Sequence, residues 1–169
     1  SRNFQNMFII DFDDTLFDTH ALKKIIAKSP HAVDEKELEG LLFPDAFIFL
    51  QYLKTKNEKL VLLTFGQFEF QNKKIGSAGI AHLFDEIIIT PDAKELTIEK
   101  ILRSAPDKED VWFINDKIEE TQTIVRQFPY LKPLLKMSPR FSEEEYKLSL
   151  MPYFSTLTEM QQYAESRIK

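Results

Sequence analysis

Met7-Phe8-Ile9-Ile10-Asp11-Phe12-Asp13-Asp14-Thr15 is the stretch on which the fold turns. It opens as an apolar run and closes in a burst of carboxylates. An apolar run of this length, rich in Ile and Phe, predicts a strand buried on both faces, as in a parallel sheet. Side chains alternate along a strand, so Asp11 and Asp13 are expected on one side of it. Two neighbouring carboxylates at the end of a buried strand repel each other and are costly to desolvate. A divalent cation makes such a pair favourable. The same residues also suit a plain turn at Asp13-Asp14 with Thr15 capping a helix, so the rest of the chain has to decide.

The chain has 169 residues, which suits one domain spanning 1–169. With 43% hydrophobic residues and 15 Phe it can bury a sizeable core, and disorder is excluded by composition. A net charge of −5 without a basic cluster argues against a nucleic-acid backbone as the main partner. The chain has no cysteine, which excludes disulfides, thiolate metal sites and a cysteine nucleophile. No apolar run approaches the roughly 20 residues of a membrane span, and no signal-peptide pattern opens the sequence. A soluble cytoplasmic protein that uses no membrane is the expectation.

Five apolar runs predict strands at 7–12, 59–64, 86–90, 111–115 and 132–137. Helical patterns separate them. The stretch 45–55 carries Ala46, Phe49, Leu50 and Leu53, and 68–78 carries Phe68, Gln71, Ile75 and Ala78 on one stripe before Gly79. A third helix is expected at 98–104, ended by Pro106, and a fourth at 118–128, closed by Pro129. Strand and helix alternating with short connections predict an α/β fold: a Rossmann-like three-layer sandwich with a mainly parallel sheet of about five strands.

Two segments depart from that rhythm. Residues 19–42 read as a small helical insert after the first strand, its first helix at 20–28 ended by Ser29-Pro30. Its second helix opens at Asp34 with Glu37 three residues on, a capping-box spacing. In the tail, Ser142 with Glu145 and Thr156 with Glu159 each open a helix, and Pro152-Tyr153-Phe154 reads as a brief edge strand.

Ligands of a parallel α/β sheet sit outside the carboxyl ends of its strands. The polar residues there are Asp11, Asp13 and Thr15, then Thr64, then Lys94, then Asn115 and Asp116. Glu119 and Glu120 follow in the first turn of the next helix. Each has an ordinary explanation alone: Thr64 ends a strand, Lys94 is a solvated lysine, and the two Glu favour a helix N-terminus. Their joint occurrence at successive strand ends points to one catalytic crevice.

On these residues the chain resembles the haloacid dehalogenase-like hydrolase superfamily. Asp11-Phe12-Asp13-Asp14-Thr15-Leu16 is similar to its first motif, Asp-x-Asp-x-Thr. Leu60-Val61-Leu62-Leu63-Thr64 resembles the second, Lys94 the third, and Asn115-Asp116 with Glu119-Glu120 the fourth. Gly79-Ile80-Ala81-His82-Leu83-Phe84-Asp85 resembles a connecting segment of that family. The resemblance implies a phosphatase that uses Mg²⁺. Asp11 would attack phosphorus and form an aspartyl-phosphate. Asp13 would protonate the leaving oxygen and then deprotonate water. Metal ligands would be Asp11, the backbone carbonyl of Asp13, Asp116 and, through water, Glu120, with Glu119 as the competing choice. Thr64, Phe65 and Lys94 would hold the phosphoryl group.

Three departures from the family pattern stand out. Asn115 replaces the usual Gly, which is mild if it adopts the backbone states Gly is used for. Glu120 stands where a second Asp is usual. Lys94 competes with Lys73, Lys74 and Lys100, and is preferred because it follows the third strand and precedes a helix. Asp13 itself narrows the reaction. Relatives that cleave carbon–halogen bonds have no leaving oxygen to protonate and generally lack it.

Asp18 is expected to cap the helix at His20. His20, His31 and His82 read as surface or packing residues. Phe17, Leu22, Ile25 and Ile26 either line the entrance or pack the insert down, and packing is the expectation. The insert is too short for a full cap domain. An open site follows, admitting a phosphorylated small molecule, a phosphorylated macromolecule, or closure by a neighbouring copy in a homo-oligomer. Phosphotransfer to a second substrate is one alternative. A non-catalytic phosphoacceptor is another, although receiver-type domains carry that Asp after the third strand, where no acidic pair stands here.

Overall fold

The computed structural model describes residues 4–29, 33–105 and 110–168. His31, Pro30 and Pro106 lie outside the described residues. Six parallel strands form one sheet: β1 (Asn6–Ile10), β2 (Lys59–Phe65), β3 (Glu86–Thr90), β4 (Asp110–Asn115), β5 (Lys132–Lys136) and β6 (Tyr153–Phe154). Their spatial order is β3-β2-β1-β4-β5-β6. The sheet thus has six strands rather than five. The sixth is the edge strand expected at Tyr153-Phe154, paired parallel to β5.

β1 is central because its side chains are apolar on both faces. Phe8 and Ile10 pack with Phe49, Leu50 and Leu53 of α3 (Ala46–Thr55) and Ile75 of α4 (Phe68–Ala78). Met7 and Ile9 pack on the opposite face with Ile98 and Ile101 of α5 (Lys94–Arg103) and Ile124 of α6 (Ile118–Gln127). Each such side chain, fully buried, contributes about 1.5–3 kcal/mol. Two helical layers therefore sandwich the sheet. α7 (Glu143–Leu148) and α8 (Leu157–Arg167) complete the chain, opened by Ser142 and Thr156 as their capping-box spacing predicts. Among the described residues no helix is long and apolar enough to cross a membrane.

The insert contributes α1 (Thr19–Lys28) and α2 (Glu35–Glu39), capped by Asp18 and Asp34. Its two ends are tied together by Asp18 N–H to Leu41 O at 2.7 Å and Phe43 N–H to Leu16 O at 2.9 Å. Phe17, Leu22 and Leu38 join the main core, Ile25 is half-buried, and Ile26 is exposed. Packing accounts for the first two of the four apolar residues singled out in the insert, and not for Ile26.

Several boundaries differ from the sequence expectation, β2 running on to Phe65 and β4 starting at Asp110 among them. β1 pairs through Ile10, not Phe12, because the chain turns at Asp14, whose φ is 59°. The alternation rule therefore stops before Asp13. β5 ends at Lys136. α5 begins at Lys94 rather than at residue 98, so Lys94 occupies the first helical position instead of preceding the helix.

Register places the site. Ile10 lies level with Leu62 of β2 and Ile114 of β4. Asp11, Thr64, Asn115 and Asp116 follow immediately at the carboxyl ends of these three strands. The chain order reverses direction across the sheet between β1 and β4, which is where a crevice opens in such folds.

Candidate active site

Asp11 is buried just past β1, and both of its oxygens are engaged. Lys94 Nζ donates to Oδ1 at 2.5 Å, and the Thr15 hydroxyl donates to Oδ2 at 2.8 Å. Thr15 thus lies in the turn after β1, caps no helix, and spends its hydroxyl as a fixed partner of Asp11. The Lys94 side chain is buried, which works against its charge. The carboxylates of Asp11 and Glu120 outweigh that and raise its pKa above the ordinary value.

Asp13 is held differently. Lys74 Nζ donates to Oδ1 at 2.6 Å and Thr19 Oγ1 to the same oxygen at 2.5 Å. Gln71 Nε2 donates to Oδ2 at 2.9 Å. Burial pushes the Asp13 carboxyl upward, yet the Lys74 charge and these three donors hold it below the usual carboxylate range. Asp11 and Asp13 therefore each have their own lysine, from α5 and α4 respectively.

Thr64 is fully buried at the end of β2, and its hydroxyl accepts from Gln71 Nε2 at 2.7 Å. Phe65 follows with an exposed ring, and its carbonyl accepts from the same Gln71 amide at 3.3 Å. Gly66 makes room for that amide. Its φ is +150°, and a Cβ there would stand 2.8 Å from Gln71 Cγ.

Asp116 is fully buried, 0% exposed. Among the described residues neither of its carboxylate oxygens has a hydrogen-bond partner. Burial, and after it the Asp11 charge, push its pKa up to about 8, with Asp14 adding to the effect. The nearest cation is Arg140, whose Nε lies 3.5 Å from Asp116 Oδ2 and 3.6 Å from Asp14 Oδ2. The Ser138 hydroxyl and Arg140 offset the rise only in part, and a buried carboxylate so poorly paired, facing a second carboxylate, is the environment a cation relieves. Among the described residues no three acidic or histidine side chains form a ready cage. Mg²⁺ is usually bound by one or two carboxylates together with water and substrate phosphate. Asp11, Asp116 and the Asp13 carbonyl are oxygen donors of the kind such an ion takes.

Around Asp116 the scaffold is specific. Asn115 closes β4 and acts as a hub: its amide donates to Glu120 Oε1 at 2.9 Å and Thr121 Oγ1 at 3.1 Å, while its Oδ1 accepts from Asp116 N–H at 3.0 Å. Asn115 is absent from the positive-φ residues, so it is not there to imitate Gly. Tyr146 of α7 donates its hydroxyl to the Asp116 carbonyl at 2.8 Å and accepts from Ser138 N–H at 3.0 Å.

Of the two glutamates, Glu119 is exposed and Glu120 faces the site. Glu120 lies 3.5 Å from Lys94, so it stands on the Lys94 side of the crevice. Lys100 is exposed, and Lys73 bonds the Val33 carbonyl at 3.1 Å, so neither competes with Lys94. Asp18 caps α1 through Ala21 N–H at 2.9 Å, as expected, and His20 and His82 are exposed. The sequence reading weighed Lys74 only as a rival of Lys94 and Gln71 only as part of a helix stripe, and it gave no site role to Asp14, Arg140 or Tyr146.

By sequence the chain matches no family model and no curated protein. Its structure does match others over nearly all its length. A protein described as a predicted phosphatase from Clostridium acetobutylicum is 15% identical with a TM-score of 0.72, covering 97% of this chain and 100% of that one. The HAD-hydrolase YfnB from Bacillus subtilis, solved bound to magnesium, is 14% identical with a TM-score of 0.65, covering 95% and 99%. The L-2-haloacid dehalogenase from Xanthobacter autotrophicus, with chloropropionic acid covalently bound, is 13% identical with a TM-score of 0.65, covering 99% and 100%. The fold is therefore that of the haloacid dehalogenase-like hydrolases. Because phosphatase and dehalogenase share it, the reaction has to be argued from the site.

Proposed function

We propose that this chain is a Mg²⁺-dependent phosphatase that hydrolyses a phosphate monoester through an aspartyl-phosphate on Asp11. The observation that carries this reading is the second carboxylate. Asp13 is kept beside the nucleophile's loop by three donors from α1 and α4. A carbon–halogen bond breaks to a halide that needs no proton, so a dehalogenase has no use for Asp13. An ester oxygen does need one.

In the first half of the reaction an Asp11 oxygen attacks phosphorus and the bond to the ester oxygen breaks; Asp13, ionised at rest beside Lys74, first collects a proton from the bound phosphate monoanion or from solvent and passes it to that oxygen. In the second half Asp13 takes a proton from water, and the water oxygen displaces Asp11 to release phosphate. Asp13 returns to its resting carboxylate by releasing that proton to solvent. Thr64, the Phe65 backbone and Lys94 hold the phosphoryl oxygens. Lys94 also donates to Asp11 Oδ1. Asp11, the Asp13 carbonyl and Asp116 would hold Mg²⁺, which supplies charge neutralisation for an anionic substrate. Glu120 supports the site through Lys94 and Asn115.

A small phosphorylated molecule is the substrate class to test first. The test is hydrolysis of 4-nitrophenyl phosphate with Mg²⁺ and with EDTA, by wild type and Asp11→Asn. Hydrolysis that persists at full rate in Asp11→Asn contradicts the nucleophile assignment.

A further inference from the structure

Two buried lysines flank the carboxylates that follow β1. Lys94 has a part in the proposed reaction, whereas Lys74 has none so far. Its side chain is 3% exposed and its Nζ stands 2.6 Å from Asp13 Oδ1. Three rings surround the ammonium: Phe70 at 5.0 Å, Phe17 at 5.6 Å and Phe12 at 5.8 Å from their centroids. Taking a lysine out of water costs several kcal/mol, and an apolar side chain of the same length would fill this space more stably. The charge is explained by what it faces.

Gln71 stands three residues earlier on α4, a spacing that puts both side chains on one helix face. Its amide reaches the other Asp13 oxygen and the Thr64 hydroxyl together. One face of α4 thus ties Asp13 to the end of β2, where Thr64 sits.

We infer that Lys74 is a positioning residue: with Gln71 it fixes the Asp13 carboxylate at a set place relative to Thr64. This rests on the reading of Asp13 as the acid and base of a phosphatase. Lys74 belongs to neither the phosphate-holding nor the metal-holding set proposed above, so its loss is expected to act on turnover rather than on binding. Without it, Asp13 keeps neutral donors alone and shifts among rotamers, and proton transfer is lost in most of them.

The test compares Lys74→Met, Lys74→Gln and Lys74→Arg with wild type, by crystal structure and by kinetics on 4-nitrophenyl phosphate with Mg²⁺. In Lys74→Met the Asp13 carboxylate is expected to leave its hydrogen bond to Gln71. Its kcat is expected to fall about 10- to 100-fold, within the range that general acid–base catalysis supplies. KM and the Mg²⁺ concentration for half-maximal rate should stay within about twofold of wild type. Lys74→Arg should recover part of the rate. An Asp13 unmoved in the Lys74→Met crystal, or an unchanged kcat, overturns the inference. So does failure of both neutral variants to fold while Lys74→Arg folds and works as wild type, since Lys74 would then serve folding alone. If wild type hydrolyses no phosphate ester with Mg²⁺, the phosphatase reading fails, and the position of Asp13 in the crystal still decides the role of Lys74.

Discussion

Lys94, at the first position of α5, reaches back to Asp11 at the end of β1 and holds its Oδ1 at 2.5 Å, both side chains buried. The pair joins residues 83 positions apart and fixes the distance between the proposed nucleophile and a phosphate-binding cation.

Lys94→Met leaves the Asp11 charge buried without its partner, a loss worth about 3–5 kcal/mol. Because the Lys94 pKa is raised, the pair's contribution is fully present below the ordinary lysine value of 10.5. It is lost only as pH climbs through the raised value. Urea unfolding should therefore show the same deficit at about pH 6 and about pH 8.

Asp116 makes stability depend on pH where most carboxylates do not. Its pKa rises from 3.8 to about 8 without metal. Between those values the folded protein keeps a proton that the unfolded chain has released, so stability falls as pH rises through that window. A divalent cation takes the proton's place. Mg²⁺ should raise Tm more at about pH 8 than at about pH 5, and Asp116→Asn should flatten both dependences. Asp13, whose pKa is lowered, adds stability above its unfolded value and loses it only at lower pH, outside this window.

Gly66→Ala places a methyl 2.8 Å from Gln71 Cγ at a φ of +150°. The flexible amide must move, and it takes its bonds to Thr64 and Asp13 with it. We expect a stability loss of about 1–3 kcal/mol by thermal melting. A lower kcat on 4-nitrophenyl phosphate should accompany it.

Tyr146→Phe removes one hydroxyl that serves both the Asp116 carbonyl and Ser138 N–H. Two buried backbone groups lose their partner, at about 1–3 kcal/mol each at most. Since the lost contact orients a metal-ligating residue, Mg²⁺ affinity should fall roughly 10- to 100-fold by titration calorimetry.

Much of this site was legible because buried strands announce themselves. An apolar run that stops at a polar residue marks a strand end, and Asp11, Thr64 and Asp116 were found that way. Lys94 was found by its place after the third strand. Lys74 and Gln71 were not placed in the site because they sit inside a helix, where a polar residue normally faces water. Their signal was a shared face with Ile75 and Ala78, a stripe too polar for a core helix unless something buried needed it. Tyr146 gave no local sign, since its partner Asp116 lies 30 residues away. Asn115 was read through its backbone when its side chain was the point.

The central claim is phosphoryl transfer at Asp11. The most direct measurement is product release by wild type and Asp11→Asn, with Mg²⁺ or EDTA, supplying 4-nitrophenyl phosphate and 2-chloropropionate in parallel. The account predicts phosphate release by wild type that requires Mg²⁺ and disappears in Asp11→Asn, with no chloride formed. Chloride release without phosphate release, or full phosphate release by Asp11→Asn, would contradict it.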